Sequence, residues 1–125
     1  MKNVSIETLL CCLVLQIGCV GSRPPVGQVV YVTDTIGGQP YVVSARVGED
    51  GMFANSISKG NTTQTMSGQV TKSGEEYVVV IDYNCVRTNS DGLHQINTRI
   101  KLLEGQLQKL GGMGNDFVRI RISSE

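Results

Sequence analysis

The sequence predicts an all-β protein, a small antiparallel β-sandwich or open barrel of about seven strands preceded by a signal helix. Three observations carry this. From Gly27 onward, short runs rich in Val, Ile, Tyr and Thr alternate with clusters of Gly, Asn, Asp and Ser. Helical periodicity is nearly absent over the same stretch. The apolar run Leu9–Ile17 stands apart from those strands, ahead of a Gly/Ser/Arg/Pro segment that breaks regular structure.

The elements follow in order. Gln28–Thr33 reads as a first strand, and Thr35–Pro40 as a turn in which Gly37-Gly38 can take positive φ. Tyr41–Val47 is a second strand, with Val43, Ala45 and Val47 on one face and Val42, Ser44 and Arg46 on the other. Asp50-Gly51 is a hairpin signal. Met52–Ser58 gives a weaker third strand. Thr62–Thr71, rich in Thr, reads as an exposed or edge strand open to a partner by edge addition. Glu76–Val86 is the most apolar strand, and its continuous run Tyr77–Ile81 predicts a central position buried on both faces. Leu93–Leu103 alternates strictly, placing Ile96, Thr98, Ile100 and Leu102 on one face and a wet set on the other. Gly111–Asp116 reads as a flexible break. Phe117–Ile122 closes the chain, with Phe117 apart from the Val118, Ile120 and Ile122 face.

The beginning of the chain carries the functional signal. A membrane-spanning helix needs roughly twenty apolar residues, whereas the apolar part of an export signal needs about 7–15. Leu9–Ile17 fits the second, with Lys2 ahead of it and Glu7 opposing the charge bias. Ile17, Gly18 and Cys19 then resemble the lipobox of bacterial lipoproteins, while Gln16 departs from its aliphatic pattern. That resemblance implies acylation of Cys19 and a mature chain beginning there. The expected organisation is a signal at 1–18, a tether at 19–26 and a β-domain at 27–125. The competing reading makes the N-terminal segment part of the core of a cytosolic β-domain, with Cys11, Cys12 and Cys19 as small buried hydrophobes.

Composition narrows the rest. Formal net charge is zero and stays zero without residues 1–18, which carry Lys2 and Glu7. A basic surplus that would recruit nucleic acid or an anionic membrane is therefore missing from the totals. Three of the four cysteines, Cys11, Cys12 and Cys19, fall in the signal and its cleavage site. Cys85 is left alone in the fold, as a buried hydrophobe and not a redox centre. No Cys/His spacing marks a metal site, and no glycine cluster precedes a helix that could cradle phosphate.

No catalytic constellation, cofactor motif or metal set is expected. The single histidine, His94, with Asp82 or Asp91, would be the nucleus of any loop-built enzyme or inhibitor site. Asp82 either faces solvent or pairs with a neighbour such as Arg99.

From Gly68 to Ile122, the succession Ile96-Asn97-Thr98-Arg99-Ile100, Glu104-Gly105-Gln106 and Leu110-Gly111-Gly112-Met113 is similar to the β-hairpin segment of bacterial secretins and related exported proteins. This implies a bacterial envelope β-protein, without the ring-building domains of a pore. The combined expectation is a lipid-anchored module of the cell envelope, on the periplasmic face or the cell surface. Its role is binding or structural, its contacts being the membrane through the anchor and an envelope protein partner.

Overall fold

The computed structural model describes residues 22–23, 27–88 and 94–124. The expected signal helix, Cys19 and Asp91 lie outside the described residues. Every regular element described is a strand: β1 (Ser22–Arg23), β2 (Gln28–Ile36), β3 (Gln39–Arg46), β4 (Met52–Lys59), β5 (Thr62–Ser73), β6 (Glu76–Arg87), β7 (His94–Leu103), β8 (Gln108–Met113) and β9 (Asp116–Ser124). They form two antiparallel sheets around one core, a sandwich-like arrangement. The smaller sheet runs β8-β9-β2-β3. The larger runs β4-β5-β6-β7, with β1 beside the end of β5 that β4 leaves uncovered.

Period-2 alternation builds the core. Val30 and Val32 of β2 meet Val43 and Ala45 on one side and Ile120 and Ile122 on the other. Against them, the larger sheet presents Phe53, Met66, Val70, Val79, Ile81 and Leu102. Phe53 lies opposite Gly68, whose missing side chain leaves room for the ring.

Several expectations change. β5 is not an edge: it pairs along its length with β6, and on its other side with β4 and β1. β6 is central but buried on one face only; Tyr77, Val79, Ile81, Tyr83 and Cys85 point inward, while Val80 is 43% exposed. The apolar run misled because valine serves a half-wet β face as well as a core. The Gly111–Asp116 break is instead the end of β8, a tight turn at Gly114-Asn115 and the start of β9. Asp50-Gly51 does not close a hairpin, because β3 and β4 belong to different sheets; the segment is a corner between them.

The Gly37-Gly38 turn is as expected, with φ of 59° and 82° joining β2 to β3. It lies at the far end of the sandwich, away from the near end, where Gln28 pairs with Ser124. The connections β2–β3, β4–β5, β6–β7 and β8–β9 all lie at the far end, and each stays within one sheet. The connections β1–β2, β3–β4 and β7–β8, which pass between sheets, all lie at the near end.

Candidate functional site

A polar cluster sits in the core at the far end. On β2 the inward series Val30, Val32 continues to Asp34, which is completely buried. On the larger sheet the inward series end in Gln64 of β5, Tyr83 and Cys85 of β6, and His94 of β7. The same alternation that fills the core thus carries five polar or titratable side chains into its last layer.

The geometry closes on Asp34. Tyr83 donates its hydroxyl proton to Asp34 Oδ2 at 2.7 Å, and His94 Nδ1 meets Asp34 Oδ1 at 2.7 Å. The Gln64 amide nitrogen donates to the Tyr83 hydroxyl oxygen at 3.0 Å and to the Tyr41 backbone carbonyl at 3.1 Å. Both Gln64 amide protons, both Asp34 oxygens and both functions of the Tyr83 hydroxyl are therefore engaged. Asp34 and Tyr41 belong to the smaller sheet, and the other members to the larger, so the network ties one sheet to the other.

Burial pushes the Tyr83 hydroxyl well above the usual tyrosine range, against the Gln64 bond that favours its ionised form; Asp34 adds to the rise. Burial, reinforced by the Asp34 charge, pushes the Cys85 thiol up to about 11. Its side chain is fully enclosed. A thiol that is protonated at neutral pH and shielded from solvent is a poor nucleophile. His94 is the one member in contact with solvent, its side chain 17% exposed. The cluster can hold a proton network and join the sheets.

His94 thus finds a carboxylate in Asp34 and not in Asp82, while Asp91 lies outside the described residues. Asp82 faces solvent from the outer side of β6, across from Asn97, while Arg99 lies opposite Val80. Asp34, Tyr83 and Gln64 were missed. The expected first strand stops at Thr33, yet the alternation of Val30 and Val32, carried two residues further, points Asp34 inward. Among the described residues, no group of three or more His, Cys, Asp or Glu is arranged to hold a metal ion.

The outer face of the larger sheet carries a depression of about 370 Å³ lined by Gln69, Thr71, Ser73, Val78, Val80 and Arg99. At the near end, Tyr77 donates to Glu104 Oε1 at 3.2 Å and Ser124 donates to Glu104 Oε2 at 2.8 Å. The Ser124 bond is the main cause of a lowered Glu104 pKa. Comparison of the chain with protein-family models, curated proteins and solved structures finds no match to any of them.

Proposed function

We propose that the chain is a small exported β-module, anchored through an acylated Cys19, with a binding or structural role at the bacterial cell envelope. The address rests on the Leu9–Ile17 run and the lipobox-like Ile17-Gly18-Cys19. The observation that carries a binding role over a catalytic one is the disposition of the reactive side chains. His94, Asp34, Tyr83 and Cys85 turn toward one another inside the core, whereas the broad outer faces of the sheets stay open to solvent. Edge addition, if used, falls to β3, β4, β7 or β8 and not to β5.

The test is Cys19→Ser in cells. The reading expects the parent protein in the membrane fraction, with an intact mass showing loss of residues 1–18 and gain of acyl chains. The variant should lose both the acyl mass and its membrane association. A parent protein of unprocessed mass, or a variant that stays in the membrane fraction with its acyl mass intact, refutes it.

A further inference from the structure

The zero net charge of the chain hides a segregation by face. Along β9 the sequence Phe117-Val118-Arg119-Ile120-Arg121-Ile122 alternates, so Val118, Ile120 and Ile122 enter the core while Phe117, Arg119 and Arg121 share the outer face. Lys109 lies opposite Arg119 on β8, and Tyr31 lies opposite Arg121 on β2. The side chains meet as this register requires. The Arg121 guanidinium sits 4.4 Å from the Tyr31 ring centre, that of Arg119 4.9 Å from the Phe117 ring, and Lys109 Nζ 6.0 Å from the same ring.

None of these three cations is ion-paired with a carboxylate among the described residues. Arg119 Nε is buried with no hydrogen-bond partner, and among the described residues Arg121 hydrogen-bonds only the Ser123 hydroxyl, at 3.3 Å. The outward positions of β2, β3, β8 and β9 hold no Asp or Glu. Val42, half exposed on β3, adds an apolar residue to the plane. The result is a carboxylate-free sheet face in which aromatic rings support an array of cations.

We infer that this face docks on the surface of an anionic phospholipid bilayer. Charge complementarity calls for an anionic partner, and an anchored envelope protein has an anionic bilayer within reach. Single-stranded nucleic acid fits less well, because base stacking needs open aromatic faces and here cations cover them. The inference deepens the envelope reading and rests on it for the presence of a bilayer. Only Val20 and Gly21 lie between Cys19 and Ser22, three residue steps with a reach of about 11 Å at most. An anchor at Cys19 therefore keeps the domain against the headgroups, and the cationic face is the one they favour.

The full chain carrying Cys19→Ser, so that acylation plays no part, is titrated with vesicles of phosphatidylglycerol and phosphatidylcholine and with vesicles of phosphatidylcholine alone. Each basic side chain at an anionic surface strengthens partition roughly fivefold. Binding should favour the anionic vesicles and weaken with salt. Adding Lys109→Gln, Arg119→Gln and Arg121→Gln should lower it about a hundredfold. Replacing Arg99 and Lys101 on the larger sheet by Gln, with the same loss of charge per site, should cost little. Circular dichroism checks that each variant keeps its β signature, and salt dependence of the unsubstituted face supplies the answer if the triple variant unfolds. Equal binding to both vesicle types, a folded triple variant that binds like its parent, or preference for a single-stranded oligonucleotide over anionic vesicles would overturn the inference. These results do not depend on acylation in cells, so they fail separately from the Cys19 reading.

Discussion

Replacing Asp34 by Ala tests whether the far-end network holds the sandwich together. The substitution removes two acceptors, one for the Tyr83 hydroxyl and one for His94 Nδ1. His94 is partly solvated and can turn to water. Tyr83 is fully buried, so its proton is left without a partner. Stranding a buried donor costs about 1–3 kcal/mol, and a lost bond to a charged group about 1.5–3 kcal/mol before water compensates. The expected loss is about 3 kcal/mol, or a fall of about 10–20 °C in Tm for a domain of this size. Urea unfolding at pH 7 followed by circular dichroism reads it directly. A second variant isolates the cause. In Asp34→Ala with Tyr83→Phe the stranded hydroxyl is gone, so the double variant should be more stable than the summed single effects by at least about 1 kcal/mol. A cost below about 0.5 kcal/mol for Asp34→Ala, or simple additivity in the pair, would refute the argument.

Two further outcomes follow from the packing and the titrating groups. Gly68→Ala should destabilise by about 2–3 kcal/mol, because the new Cβ overlaps the Val80 carbonyl oxygen and lies 2.7 Å from Phe53 Cζ. A Phe53→Leu replacement should not restore the urea midpoint, since the backbone overlap remains; full rescue would locate the strain in the ring alone. Stability should also fall in alkali. The Cys85 thiol is raised from 9.0 to about 11 in the fold, so between these values the unfolded chain binds fewer protons than the folded one. Its contribution is fully present below pH 9, is lost as pH rises through about 11, and is on the order of 2 kcal/mol. Urea midpoints at pH 8 and pH 11 for the parent and Cys85→Ala should show the variant with the shallower decline; equal slopes would remove Cys85 as a cause.

The strands were legible because valine, isoleucine and threonine at period two leave little room for another structure. The inward faces of β3, β7 and β9 follow their alternation residue by residue. What alternation could not supply was the end of each series. Asp34 carries a turn residue's chemistry in a strand position, and only a partner such as Tyr83, 49 positions away in sequence, makes its burial tolerable. β8 was hidden because its pairing with β9 passes through Gly111 and Gly112, residues that speak for loops. At Gly112 the reason is steric, since a Cβ there would overlap the Asp116 carbonyl oxygen and Phe117 Cα. The cationic face escaped a reading by net charge because charge was summed along the chain, while a sheet sorts residues by parity.

The placement of the crossings between sheets has a mechanical consequence. All three lie at the near end, so the two sheets resemble the covers of a book bound along one side only. Among the described residues nothing covalent joins the covers at the opposite side, where the β2–β3, β4–β5 and β8–β9 turns each stay within their own sheet. Breathing of the molecule should be a jaw-like gape about that spine, with amide exchange fastest around Gly37, Gly60 and Gly114 and slowest beside Gln28 and Ser124. The Asp34 carboxylate then acts as the catch of the jaw, and the solvent-touched ring of His94 is the first part of the catch that water reaches.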